Sequence, residues 1–152
     1  MSAAHRVNSG VIPTRGVDHV AFNVPDLAEA LQFFIGTLGC EMIRRGGPIA
    51  YGNGLSATYA LVRSEPALAF ELLEWRGPDV DPTVPRFTDT GGGHLAFAVA
   101  DLDEALAVVA RRDDLALTPP TDLPDGRRLA RFTTAWGLTI QLLSQFPATP
   151  EE

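Results

Sequence analysis

Hydrophobic and polar residues alternate along four stretches of the chain, residues 17–24, 67–75, 94–99 and 138–144. A period of two over such lengths marks a strand with one apolar face. After the first and third stretches the period lengthens. Leu27, Leu31 and Phe34 recur at helical spacing behind Asp26, and Glu29 three residues on gives the form of a capping box. The spacing predicts a helix to about residue 38, stopped by Gly39. A second helix is expected from residue 101 to about 112. Shorter apolar runs at residues 40–45, 57–62, 115–118 and 129–133 supply the remaining strands. Each half therefore reads strand, helix, three strands (βαβββ), an α+β organisation. Residues 77–92 are rich in Pro, Asp and Gly and follow no period, as a linker does. Residues 1–15 and 146–152 read as flexible tails around one domain at 16–145, with modules at 16–76 and 93–145.

The halves are copies of one unit. Residues 19–31 laid over residues 94–106, an offset of 94 − 19 = 75, agree at nine of thirteen positions without a gap. The identities include His19/His94, Phe22/Phe97, Asp26/Asp101 and Glu29/Glu104. The last strands also correspond, Leu68–Leu73 against Leu138–Leu143.

Strand phase then isolates four side chains. Val20, Phe22 and Val24 share one face of the first strand and leave His19, Ala21 and Asn23 on the other. In the fourth strand Leu68, Phe70 and Leu72 oppose Ala69, Glu71 and Leu73. In the fifth, Leu95, Phe97 and Val99 oppose His94, Ala96 and Ala98; in the last, Leu138, Ile140 and Leu142 oppose Thr139, Gln141 and Leu143. The bulky faces suit cover by a helix. Two such units forming a curved sheet would bring His19, Glu71, His94 and Gln141 together on its inner side. Two imidazoles, a carboxylate and an amide oxygen form a first shell for a divalent metal (Zn, Ni, Mn, Co or Fe(II)), with two octahedral positions left for water or substrate. An inward-facing ionised Glu71 also needs a charge partner or a metal. Ordinary strand histidines with hydrogen-bonded partners, and a Glu71 facing solvent, are the plainer account of each residue alone. The repeat makes the four symmetric partners and favours the metal.

Composition narrows the setting. With 152 residues, 45% hydrophobic and 20% charged, the chain builds one core and is not a disordered polymer. No run approaches the roughly 20 apolar residues that span a bilayer, and residues 1–15 show no secretory pattern. One cysteine, Cys40, excludes an internal disulfide framework and points to a reducing, cytoplasmic compartment. Twelve basic against 19 acidic residues give a net charge of −7, which argues against nucleic acid as a partner. A small-molecule substrate is the expectation, with neither nucleic acid nor membrane as a partner.

At Val17-Asp-His-Val-Ala-Phe-Asn-Val-Pro-Asp-Leu27, Phe70-Glu-Leu-Leu73, Gly93-His-Leu-Ala-Phe-Ala-Val-Ala-Asp-Leu102 and Ile140-Gln-Leu-Leu143 the chain resembles the vicinal oxygen chelate superfamily. Glyoxalase I, methylmalonyl-CoA epimerase, extradiol dioxygenases, fosfomycin-resistance enzymes and bleomycin-resistance proteins belong to that superfamily. The resemblance implies two tandem βαβββ modules forming a U-shaped, partly open eight-stranded mixed sheet with helices on its outer face. It implies a homodimer and a metal held by His19, Glu71, His94 and Gln141. The chemistry implied is that of a glyoxalase-like lyase or isomerase that binds substrate through adjacent oxygens and stabilises an enediolate or other oxyanion. Gln141 cannot act as a base, so Glu71 is the catalytic candidate.

Two alternatives stay open. Two His and one carboxylate are also the ligand types of an Fe(II) dioxygenase of extradiol type; against it, the third histidine, His5, lies in the tail. A non-catalytic, drug-binding protein would use aromatics such as Trp75, Trp136, Tyr51, Tyr59 and Phe132. Among smaller signals, Arg44, Arg45, Arg127, Arg128 and Arg131 could meet an anionic substrate, although charged strand edges are the plainer account. Gly91-Gly-Gly93 precedes a strand and so is no phosphate loop; close backbone approach or flexibility explains it. Cys40 reads as packing, and Asn53-Gly54 as a hairpin turn.

Overall fold

Val20 and Phe22 of the first strand point under a helix whose start is set by a carboxylate, and this pattern recurs in the second half. In a computed structural model, which describes residue 12 and residues 14–145, the chain divides into two compact units between Pro82 and Thr83. The boundary lies inside the expected linker. His5, the rest of the expected N-terminal tail except residues 12, 14 and 15, and the tail at 146–152 lie outside the described residues.

Unit 1 contains β1 (His19–Asn23), α1 (Leu27–Leu31), β2 (Glu41–Gly52), β3 (Leu55–Ser64) and β4 (Leu68–Arg76), in the sheet order β1-β4-β3-β2. β1 and β4 run parallel, and the other pairs are antiparallel. The Asp26 carboxylate accepts the Glu29 N–H at 2.8 Å, and Glu74 of β4 accepts the Leu27 N–H at 2.8 Å. Two amides that open the helix are thereby satisfied. Leu27, Ala30, Leu31, Phe33 and Phe34 bury against Val62, Phe70 and Leu72. Phe34 lies at the centre of this core, its ring 5.7 Å from Phe33, 5.7 Å from Phe70 and 6.5 Å from Phe22.

Two expectations for this unit need correction. The helix is α-helical only to Leu31 and then widens into a π-helical segment, Gln32–Thr37, which carries both Phe33 and Phe34 inward before Gly39 ends it. The second strand is a 12-residue edge strand, not a short run. Gly46-Gly47-Pro48 reads as a break in sequence, but here it falls at one of three β-bulges. Bulges and edges are where strands accept Gly and Pro. Gly47 has φ +102°, and a Cβ there would lie 2.7 Å from the Ala57 carbonyl oxygen. Asn53 and Gly54 both have positive φ and close the β2–β3 hairpin, as their sequence suggests.

Unit 2 contains β5 (His94–Val99), α2 (Leu102–Val109), β6 (Leu115–Leu117), β7 (Thr121–Asp122), β8 (Arg128–Thr134) and β9 (Thr139–Ser144). Its order is β5-β9-β8-β6, with β7 also on β8. β5 and β9 are parallel, like their counterparts. Asp101 caps α2 by accepting the Glu104 N–H at 2.9 Å. Leu102 and Val109 of α2 are buried, as are Ala130, Phe132, Ile140 and Leu142 of the sheet. The helix ends three residues earlier than expected and unwinds through turns at Arg111 and Arg112. The two-residue β7, in a loop without alternation, is an addition to the eight expected strands.

The mixed α+β organisation and the paired modules are as expected. Phe34→Ala is expected to cost about 3–5 kcal/mol and Asp101→Ala about 1 kcal/mol, measured by urea unfolding. A loss under about 1 kcal/mol at Phe34, an ordinary surface value, would contradict its central position.

Candidate metal centre

The pleat of β1 sends His19, Ala21 and Asn23 to the face away from α1. Parallel pairing sets His19 opposite Ala69 and Ala21 opposite Glu71. Glu71 is therefore on the same face as His19, one pleat further along. The small side chains of Ala21 and Ala69 leave room between them, and His19 Nε2 reaches Glu71 Oε2 at 3.4 Å. The other ring nitrogen, Nδ1, lies 2.7 Å from Asp18 Oδ1. The imidazole is held between two carboxylates, with Nε2 turned to the side of Glu71.

Unit 2 repeats the arrangement. His94 is opposite Thr139 and Ala96 opposite Gln141, so His94 and Gln141 share a face at the same diagonal offset. Gln141 is buried, while His94 is exposed. Edge-on contact with Phe87, centroids 6.3 Å apart at 84°, flanks the His94 ring. Each unit thus supplies one imidazole and one oxygen donor. Among the described residues no three His, Cys, Asp or Glu side chains form a ligating cluster.

The hydrogen bond that the His19 ring donates to Asp18 raises the His19 pKa above its ordinary value of 6.5; burial opposes the rise, and the charges of Glu71 and then Asp18 add to it. A carboxylate on the far nitrogen also fixes the tautomer that presents Nε2, the usual support for a metal-bound histidine. No periodicity in the sequence marks Asp18 as a partner of His19. Neighbours along a strand point to opposite faces, but Asp18 precedes the first residue of β1, where the pleat does not yet constrain it.

Other candidates resolve plainly. Cys40 is buried, and burial raises its thiol pKa, so it packs and does not react. Phe132 is a core residue on the helix-covered face. Trp75 donates to Asn23 Oδ1 at 2.9 Å and its ring lies 5.1 Å from that of Tyr51, tilted by 50°, at the far end of the His19 face. Gly92 shows the close approach allowed for the Gly91–Gly93 run, because a Cβ there would overlap the Arg86 carbonyl oxygen.

The model of the glyoxalase/bleomycin resistance protein/dioxygenase superfamily matches residues 16–142. The chain belongs to this superfamily. The resemblance to vicinal oxygen chelate proteins is borne out by that match and by solved structures of similar fold. A curated relative, 2-epi-5-epi-valiolone epimerase from Actinomyces sp., is 32% identical over 158 residues, covering 94% of this chain and 86% of the relative. A glyoxalase family protein from Bacillus cereus superposes with a TM-score of 0.71 at 19% identity, over 86% of this chain and 94% of the other. The fosfomycin resistance protein FosX from Listeria monocytogenes, solved with Mn(II) and sulfate, has a TM-score of 0.64 at 17% identity. It covers 86% of this chain and 92% of its own. Superfamily members thus include metal binders and an epimerase. No helix among the described residues is long and apolar enough to cross a membrane.

The raised pKa of His19 has a definite sign. Its contribution to stability is complete below the unfolded value near 6.5 and is lost as pH rises through the higher folded value. In metal-stripped protein, NMR titration of the His19 ring is expected to give a midpoint above 6.5, and Asp18→Asn should lower it. An unchanged midpoint in that variant would show that Asp18 does not hold the ring.

Proposed function

We propose that this chain is a metal-dependent isomerase of epimerase type acting on a small, oxygen-rich substrate. The supporting observation is the repeated diagonal pair: an imidazole on the first strand of each unit and an oxygen donor one pleat along on the last. The 32%-identical relative named as an epimerase favours isomerisation over the other chemistries of the superfamily. The donor set of His19, Glu71, His94 and Gln141 fits a divalent cation, with imidazole nitrogens and carboxylate and amide oxygens of the types such ions take. Asp18 supplies the outer carboxylate that a ligating His19 calls for.

A divalent cation bound there supplies Lewis-acid stabilisation of the negative charge that develops on a carbonyl oxygen when an adjacent carbon loses its proton. The remaining steps belong to the chain. Glu71 is the one carboxylate of the four and takes that proton on an Oε atom, while Gln141, without a titrating group, only orients. Glu71 then passes its proton to solvent, and a proton delivered from solvent to the opposite face of the same carbon inverts its configuration and leaves the substrate's composition unchanged. The ordered tautomer of His19 keeps its Nε2 available throughout. A homodimer that binds small molecules is the assembly proposed with this chemistry.

Protein purified without chelators is expected to carry about one divalent ion per chain, and His19→Ala and His94→Ala should each lose it. Incubation with 2-epi-5-epi-valiolone in deuterated water should place deuterium at one carbon without oxygen uptake. Glu71→Gln should slow that exchange by roughly 10²–10⁴-fold. A metal-free wild type overturns the proposal. Oxygen consumption with catechols under Fe(II) replaces it with the dioxygenase reading.

A further inference from the structure

Of the five arginines singled out in the sequence, four have ordinary places. Arg127 pairs with Asp125 at 2.7 Å and Arg128 with Asp103 at 3.0 Å. Arg44 lies over the Tyr59 ring at 5.7 Å, and Arg45 is exposed on the edge strand β2. Arg131 differs. Its strand, β8, is paired on both sides, so protection of a sheet edge does not explain it.

Burial sharpens the contrast. Among the described residues, Arg112, Arg127, Arg128 and Arg131 are the arginines withdrawn in part from solvent. The first three have a carboxylate partner, Arg112 with Asp114 at 2.7 Å. Among the described residues Arg131 forms no such ion pair, and its Nε is buried without a hydrogen-bond partner. A buried charged donor left unmatched is costly, which makes such a group in a folded protein a sign of an absent acceptor.

Its neighbours identify where the acceptor would sit. Arg131 is directly opposite Gln141 in the β8–β9 register and so shares the face of Gln141 and His94. The guanidinium carbon is 5.7 Å from the centre of Phe87, whose ring is also the one set edge-on to His94. Phe87 is fixed by a tight loop in which Arg86 pairs with Asp89 at 2.7 Å and Gly92 N–H donates to the Asp89 carbonyl at 2.8 Å. A ring at this distance gives the guanidinium a cation–π contact but no acceptor for its N–H fork. That fork matches the paired oxygens of a carboxylate or phosphate.

We propose that Arg131 is the seat for an oxyanion, a carboxylate or phosphate group of the molecule bound on the His94 and Gln141 face, with Phe87 as its positioning residue. This deepens the proposed function and rests on its reading of that face as the one that meets substrate. The substrate class becomes a small, oxygen-rich molecule carrying one anionic group, for which the neutral 2-epi-5-epi-valiolone is an uncharged surrogate that leaves Arg131 unfilled.

The test is calorimetric titration of inorganic phosphate, and separately of succinate, into the full chain as purified, with metal content measured on the same samples. Wild type is expected to bind at least one of them saturably. Arg131→Gln should weaken that binding about tenfold or more. Arg131→Lys, which keeps the charge but not the fork, should show a smaller loss and carries the test if the Gln variant does not fold. Tighter phosphate binding assigns a phosphorylated substrate, and tighter succinate binding a carboxylated one. Equal affinity in wild type and both variants, or no saturable binding of either probe by wild type, overturns the proposal. Arg131-dependent binding in a metal-free wild type would remove the metal reading and leave the anion seat. Metal retained beside Arg131-independent binding would do the reverse.

Discussion

Parallel pairing of the first and last strands of each unit is the constraint from which the candidate chemistry follows. In β1–β4 it places Ala21 beside Glu71, and in β5–β9 it places Ala96 beside Gln141. A slip of one residue would turn every side chain of the strand to the other face and drive Phe22 or Phe97 out of the core. The apolar faces therefore lock the register, and the register in turn locks the donors. Parallel neighbours also need a crossover connection, which α1 and α2 begin. The Asp26 and Asp101 caps thus contribute to the position of residues they never touch.

Charge is distributed unevenly on this frame. The chain is acidic overall, yet the two donor faces differ in sign. In unit 1 the imidazole of His19 is bracketed by Asp18 and Glu71. In unit 2 the corresponding positions offer a neutral amide and, beside it, the guanidinium of Arg131. Duplication produced two similar halves, and the exchange of Glu for Gln between them separates an acidic face from a cationic one.

Much of this was legible in sequence where short-range physics decides. Alternation revealed the face of β1, β4 and β5, and both capping aspartates acted as their spacing suggested. The repeat alone makes His19 and His94, and Glu71 and Gln141, equivalent positions. Long-range packing was less visible. The π-helical widening at Gln32–Thr37 answers the demand of two adjacent phenylalanines for one core, which helical spacing alone does not register. The length of β2 was hidden by Gly46, Gly47 and Pro48, residues that interrupt a central strand but not a bulged edge. The order of the loop at Arg86–Gly92 depends on an ion pair and a glycine packed on a carbonyl, and neither has a period. Asp18 escaped because its contact with His19 depends on where the pleat starts.

The same β2 illustrates how this fold handles a hazard. It is a long outer strand with Met42, Ile43, Ile49 and Tyr51 substantially exposed, the composition from which fibril-like stacking ordinarily starts. Its register shifts at three places, and Pro48 removes one amide donor from the row. No straight run of backbone groups long enough to template another chain survives those interruptions. The irregularities that conceal the strand from a reader of the sequence also break up the edge to which a further strand would pair.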